Sequence, residues 1–114
     1  MHELSLAENL LQIIEEIATE HQLTKVKTVW LEIGKLACVE QGSLRFYFDV
    51  ITQDSIARQA KLEIIEIAGQ AVCAQCNRNS LITSYYEACS HCGSYNTLKV
   101  TQGREMKIKE LEAE

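Results

Sequence analysis

The sequence predicts an α+β fold that carries a separate cysteine-rich insert. An early segment has the three- and four-residue apolar spacing of an amphipathic helix, and later segments alternate apolar and polar residues as strands do. From Gly69 to about Gly103, cysteines and small polar residues replace the large apolar ones. We therefore expect one domain from residues 1–68 and 103–114, interrupted by a second domain at residues 69–102.

The first predicted element is an amphipathic helix over residues 5–21. Ser5 followed by Glu8 has the pattern of a capping box, in which two side chains satisfy free backbone N–H groups at a helix start. His21 ends the helix, where a positive charge suits the helix dipole. The apolar residues that share one side of this helix are Ala7, Leu10, Leu11, Ile14, Ile17 and Ala18.

The remaining elements are predicted as strands, with one ambiguous segment. Residues 25–33 alternate between apolar and polar side chains until Gly34 ends the run. Residues 43–52 satisfy the spacing of a strand and of a helix equally, so periodicity leaves both open. Further alternating segments are residues 61–67, 97–101 and 104–111.

Composition and charge exclude several classes of function. Sixteen acidic against eleven basic residues among 114 give a net charge of −5, which repels nucleic acid unless a basic face is segregated. No run of about 18 apolar residues is present, so we expect no membrane span. The start lacks the features of a secretory signal, so we expect the mature chain to begin at Met1. Five cysteines without an export signal favour metal thiolates in a reducing compartment, and hence a cytoplasmic location.

Four of the cysteines form two C-x-x-C pairs, Cys73 with Cys76 and Cys89 with Cys92. A two-residue gap lets both sulfurs of a turn point at one centre, and two such turns supply a tetrahedron of thiolates. Gly93 permits the tight turn that the second pair needs. We expect a structural zinc ion in a zinc-ribbon-like insert, because four thiolates leave no open position for water.

Other interpretations of the cysteines and of one histidine fit less well. A buried cysteine core needs more large apolar residues than residues 70–100 supply, and a redox role for one pair leaves the second pair redundant. We interpret the lone Cys38 as a small apolar filler. His91 lies inside the second pair and is expected to be an exposed turn residue, although it would become a ligand if a cysteine were displaced.

The first three residues, Met1, His2 and Glu3, form a second candidate metal site. A free terminal amine, the backbone nitrogen of His2 and its own Nδ1 close adjoining five- and six-membered chelate rings, in the planar arrangement that nickel(II) and copper(II) favour. Glu3 would add its backbone nitrogen or its carboxylate. On the residues alone a solvated histidine is the more common outcome at such a position.

Taken together, these motifs make the chain resemble the HypA/HybF family of hydrogenase nickel-incorporation proteins. The resemblance covers the whole chain and rests on four segments, residues 1–5, 31–34, 73–92 and 101–106. The second of these reads Leu-Glu-Ile-Gly, and the fourth reads Thr-Gln-Gly-Arg-Glu-Met.

The resemblance implies a fold and a set of metal ligands. The fold is a small mixed sheet with two helices that forms the nickel domain, plus the four-cysteine insert; residues 43–52 are then a helix, and the last strand returns to the sheet. Nickel maps onto His2, with Glu3 assisting, while the additional donor is left open between Glu3, Glu40 and another group. Zinc maps onto Cys73, Cys76, Cys89 and Cys92.

The resemblance also implies a function and partners. Members of this family are metallochaperones that work with a HypB-type GTPase to load nickel into the precursor of the NiFe hydrogenase large subunit, and some also serve urease. We hypothesise a nickel carrier that is not an enzyme, as a monomer or a homodimer. The rival from another class is a zinc-ribbon module that binds nucleic acid or protein, with Tyr85, Tyr86 and Tyr95 as a stacking surface. A thiol oxidoreductase is the enzymatic rival.

Overall fold

The structure is a computed structural model that describes residues 2–114. In this part of the chain two α-helices and six strands follow one another, with a 3₁₀ turn at Lys35–Ala37. The helices are α1 (Glu3–His21) and α2 (Gln41–Ile51). The strands are β1 (Val26–Gly34), β2 (Lys61–Ile67), β3 (Gly69–Cys73), β4 (Asn79–Ile82), β5 (Leu98–Gln102) and β6 (Met106–Ala113). Between residues 2 and 114, neither helix has the length and apolar character needed to cross a bilayer.

Helix α1 begins at Glu3, so the predicted capping box is wrong. His2 is the residue before the first turn; its carbonyl accepts the N–H of Leu6 at 3.1 Å, and no side chain among the described residues caps this end. Ser5 and Glu8 therefore lie inside the helix, because Glu3 and Leu4 are compatible with helical backbone and extend it backwards. The buried residues of α1 agree with the predicted apolar side: Ala7, Leu10, Ile14 and Ala18.

The ambiguous segment at residues 43–52 is helical, as the family resemblance implies. Its start is fixed by Glu40, whose carboxylate accepts the backbone N–H groups of Gly42 at 3.1 Å and of Ser43 at 2.5 Å. Leu44 and Phe48, one turn apart, are fully buried where α2 packs against α1. A strand would put Phe46 and Val50 on the same buried face, whereas they are 63% and 48% exposed, as helical spacing requires.

The strands form two three-stranded sheets. The first has the order β2-β1-β6, which confirms that the closing strand returns to the sheet of the first strand. The second has the order β4-β3-β5, with β3 antiparallel to both neighbours. The α+β prediction is therefore confirmed, while β3 and β4 were not predicted as strands because both are short and poor in large apolar residues.

The chain divides into two compact units. One combines the residues up to Leu31 with Val39–Ile64 and Ile108–Glu114. The other combines Glu32–Cys38 with Ile65–Lys107 and contains all four paired cysteines. The predicted domain boundaries, between residues 68 and 69 and between residues 102 and 103, describe parts that would fold independently, and they stay a prediction. The small core of the second unit consists of Leu36, Ala71 and Ile82, with Leu98 and Val100 packed against it.

Candidate metal sites

The four paired cysteines meet in one place. Their Sγ atoms all lie within 4.8 Å of one another. Cys73 Sγ is 3.7 Å from Cys92 Sγ, and Cys76 Sγ is 3.7 Å from Cys89 Sγ. Metal–sulfur bonds of about 2.3 Å give a tetrahedron with edges of about 3.8 Å, whereas a disulfide needs about 2.05 Å. The geometry therefore fits four thiolates around one tetrahedral ion.

A short turn between β3 and β4 presents the first pair. The N–H of Cys73 donates to the carbonyl of Arg78 at 3.1 Å, and the N–H of Asn77 donates to the carbonyl of Cys73 at 2.8 Å. Asn77 adopts a left-handed backbone with φ of 60°, a conformation that asparagine tolerates better than most residues. This role of Asn77 was not predicted, although an asparagine directly after a C-x-x-C pair is a usable signal for it.

The second pair lies in a turn with the same hydrogen bonds. The N–H of Cys89 donates to the carbonyl of Ser94 at 2.9 Å, and the N–H of Gly93 donates to the carbonyl of Cys89 at 2.8 Å. Gly93 takes the left-handed position with φ of 76°. The turn predicted from this glycine is confirmed, and the two turns present their cysteines in equivalent ways.

Hydroxyl groups surround the sulfur of Cys73. The Thr97 hydroxyl lies 3.3 Å from this sulfur, the Ser94 hydroxyl lies 3.5 Å from it, and the N–H of Gln75 donates to it at 3.3 Å. These hydrogen bonds, led by that from Thr97, lower the pKa of Cys73 to about 5 against the opposing effect of burial. Ser94 and Thr97 were not predicted as supporting residues, since serine and threonine are common in any loop.

The pKa values of Cys76 and Cys89 shift in opposite directions. The backbone N–H of Arg78 favours the Cys76 thiolate, but burial and the neighbouring thiols outweigh it and raise the pKa of Cys76 to about 11. Backbone N–H groups of Cys92 and His91 hold the pKa of Cys89 below its ordinary value. The cluster thus contains thiols that ionise readily beside Cys76, whose proton a bound metal ion would displace.

His91 and Cys38 both lie outside the sulfur cluster. The His91 ring is exposed, and its Nε2 lies 3.1 Å from the carbonyl oxygen of Asn79. Cys38 is exposed and has a left-handed backbone with φ of 56°. The interpretation of Cys38 as a small apolar filler is wrong, because this residue is exposed at the turn that ends the 3₁₀ segment.

The second candidate site lies where α1 begins. Met1 lies outside the described residues, while His2 is exposed and directly precedes the helix. Glu3 opens the first turn, and its Oε2 atom is buried without a hydrogen-bond partner among the described residues. Buried carboxylate oxygens are normally paired, so a cation or a donor from outside the described residues would complete this one.

Comparison with known proteins places the chain in a family. Residues 1–113 match the family model described as hydrogenase/urease nickel incorporation, metallochaperone, HypA. The chain belongs to the HypA family. Proteins named hydrogenase maturation factor HypA are similar to it over 100% of both chains: 52% identity for that of Azotobacter chroococcum mcd 1 and 49% for that of Azotobacter vinelandii.

The fold of this HypA-family chain is shared with a solved relative. The solution structure of the Ni metallochaperone HypA from Helicobacter pylori is 28% identical and has a TM-score of 0.72. The match covers 99% of this chain and 97% of the other. Membership of the HypA family confirms the resemblance seen in the sequence, and the four-cysteine cluster is the metal-binding feature that its geometry supports.

Glu40 is a poor candidate for a further metal donor in this HypA-family chain. Both of its carboxylate oxygens accept backbone N–H groups at the start of α2. Hydrogen bonds from the side chain and N–H of Ser43, and from the N–H of Gly42, hold the pKa of Glu40 below its ordinary range. Of the two acidic residues left open by the sequence, Glu3 is the one with an oxygen that has no hydrogen-bond partner between residues 2 and 114.

Proposed function

We propose that this protein is a nickel carrier that delivers Ni(II) to the precursor of the NiFe hydrogenase large subunit, with zinc in the four-cysteine site. The observation that carries the proposal is the match of residues 1–113 to a nickel-incorporation family. The names of its relatives, which are hydrogenase maturation factors, support hydrogenase as the recipient.

The proposed nickel donors are the Met1 amine, the backbone nitrogen of His2 and the imidazole Nδ1 of His2. Position favours this set, because the first amides of a helix have no intrahelical acceptor. A metal that replaces the amide protons of His2 or Glu3 therefore breaks no hydrogen bond of α1. The exposed imidazole of His2 is free to swing toward its own backbone nitrogen.

Glu3 is proposed as the assisting residue. Its buried Oε2, which has no hydrogen-bond partner in the described part of the chain, supports this role, because a carboxylate there offsets the positive charge of the metal and of the helix N-terminus. A site at a chain end gains little from preorganisation, so it holds nickel loosely enough to release it. Loose binding is what a carrier requires.

The four-cysteine site is proposed to hold zinc as a structural ion. A closed tetrahedral thiolate shell suits zinc and leaves no open position for a substrate. The buried Cys73 and Cys89 sulfurs are also poorly placed for handing a metal to another protein. We therefore assign nickel, the cargo, to nitrogen donors and zinc, the structural metal, to sulfur donors.

The proposal includes partners and a location. A HypB-type GTPase would supply the energy of transfer, and urease maturation would be a further destination in keeping with the family description. The chain itself acts as a carrier and not as an enzyme, in a cytoplasmic compartment where thiolates stay reduced. It functions as a monomer or a homodimer.

The zinc-ribbon module for nucleic acid is less well supported. All three proposed stacking residues are exposed, Tyr85 the least of them. The Tyr85 hydroxyl, however, donates to the carbonyl of Leu36 at 3.2 Å, and the Arg104 guanidinium lies 5.6 Å from its ring centroid. The Tyr85 ring therefore already has contacts within its own unit, and two of the three tyrosines remain for stacking. The net charge of −5 also disfavours binding of nucleic acid.

A calorimetric nickel titration tests the proposal. We compare the native chain with His2→Ala and with His21→Ala, which removes an exposed histidine from the other end of the same helix. We expect His2→Ala to weaken nickel binding at least a hundredfold, since it breaks one chelate ring, and His21→Ala to bind as the native chain does. Equal binding by both variants would refute the proposed site.

A further inference from the structure

Leu36 is the central side chain of the core beneath the four-cysteine site. It is 3% exposed and belongs to the 3₁₀ turn at Lys35–Ala37. Although it precedes β3 by more than thirty residues, it packs into one cluster with side chains from all three strands of the second sheet. Those partners are Ala71 on β3, Ile82 on β4, and Leu98 and Val100 on β5.

Two glycines and one tyrosine hold the Leu36 segment in place. A Cβ atom at Gly69 would lie 3.0 Å from Leu36 Cγ, and one at Gly103 would lie 3.1 Å from its Cδ1, so only glycine leaves room for this side chain. The N–H of Leu36 donates to the carbonyl of Gly103 at 2.8 Å. Its carbonyl accepts the Tyr85 hydroxyl at 3.2 Å.

One of these strands ends at a cysteine of the site. Cys73 is the last residue of β3 and is paired in register with Leu98, the first residue of β5. Ala71 is paired with Val100 two positions further along the same two strands. The register of β3 against β5 therefore fixes both the sulfur of Cys73 and the partners of Leu36.

We propose that metal in the four-cysteine site orders residues 35–38, with Leu36 as the side chain that transmits the effect; this inference rests on the structural zinc ion proposed above. Counting Leu36, this cluster has five side chains, and none of them is aromatic. A core of this size is too small to hold three short strands unaided. The metal joins the two cysteine turns and supplies the missing stability. Without it, Leu36 loses its partners and the segment leading to Glu40 becomes mobile.

Hydrogen exchange on the full chain, before and after removal of zinc by a chelator, gives the first test. The reporters are the amides of Gly34 and Leu36, which donate to Glu105 and Gly103. We expect their exchange to quicken at least tenfold while amides of the α1 core stay protected. Unchanged exchange at both amides, with faster exchange in β3 and β4, would overturn the proposal. If removal of zinc also quickens amide exchange in α1, the zinc affinities of Leu36→Ala and Leu81→Ala decide whether the proposal holds.

Zinc affinity in competition with a chromophoric chelator gives the second test. Coupling is reciprocal, so loosening Leu36 must weaken zinc binding if zinc orders Leu36. We expect Leu36→Ala to bind zinc at least tenfold more weakly than the native chain. Leu81→Ala is the matched control, because Leu81 lies on β4 of the same unit but is 71% exposed; we expect it within twofold. Equal affinities for the two variants would overturn the proposal.

Discussion

The sulfur of Cys73 lies 3.7 Å from that of Cys92, although the two residues belong to different turns. A bound ion would therefore join the turns rather than close either one. We expect Cys76→Ala to weaken zinc binding at least a hundredfold, because it opens the tetrahedral shell. Cys38→Ala removes the exposed cysteine outside the cluster and should retain one zinc per chain, as measured by metal analysis after dialysis. Loss of zinc in both variants would contradict a four-cysteine site.

A pair of glycine substitutions tests the crowding around Leu36. Gly103 has φ of 117°, and an added Cβ would lie 2.7 Å from the Cα of Gly69. Gly93 also has positive φ, at 76°, but no atom lies within 4 Å of its added Cβ. We expect Gly103→Ala to lower the free energy of unfolding by about 3 kcal/mol or more and Gly93→Ala by about 1 kcal/mol. Denaturant unfolding with zinc in excess measures both values, and similar losses would contradict the steric explanation.

The Glu40 cap predicts a pH-dependent contribution to stability. Its pKa is lowered in the folded state by hydrogen bonds from Ser43 and Gly42. A depressed carboxyl pKa stabilises the fold above the ordinary value of about 4.3, and this stabilisation is lost as pH falls through the lower folded pKa. We expect Glu40→Gln to have a lower Tm than the native chain at neutral pH, and the gap to close in acid.

Thermal unfolding of three chains over a pH series measures this effect. Glu66→Gln is the control, because Glu66 is exposed and lies on β2, away from either helix start. A Glu40→Gln gap that persists unchanged below the ordinary carboxyl pKa would show that the charge is not what stabilises α2.

The buried Oε2 of Glu3, which no group in residues 2–114 pairs, predicts a role for the Glu3 charge in nickel binding. Glu3→Gln keeps the shape of the side chain but removes the negative charge beside the proposed donors. We expect nickel affinity to fall about tenfold, a loss that corresponds to about 1.4 kcal/mol. Glu8→Gln lies on the same helix beyond its first turn and should leave the affinity unchanged. Identical titrations for the two variants would remove Glu3 from the site.

Sequence patterns located the long elements and the sulfur site well. The cysteine spacing identifies all four members of the cluster, because a C-x-x-C pair dictates local turn geometry whatever the rest of the fold does. The sequence also predicts helix α1 and strand β1, because each of them buries a continuous apolar face. Residues 43–52 could not be assigned by spacing alone, because burial of Leu44 and Phe48 is decided by packing against α1.

The errors have two causes: a helix can extend beyond its predicted cap, and the burial of single residues depends on tertiary contacts. Helix α1 extends past the predicted cap at Ser5 to Glu3, since nothing at Ser5 forces the backbone out of the helical region. The burial of Leu36 under strands far along the chain, and the exposure of Cys38 beside it, depend on the path of the 3₁₀ turn. Neither property has a local sequence signal.

Blocking the amino end tests the proposed nickel site most directly. We compare nickel uptake by the native chain with that of a chain acetylated at Met1, both loaded with zinc, by calorimetry and absorbance. Acetylation removes one donor atom and changes no side chain, so we expect affinity to fall at least a hundredfold while zinc content stays at one per chain. Undiminished nickel uptake by the acetylated chain would contradict a carrier that binds its cargo through the terminal amine.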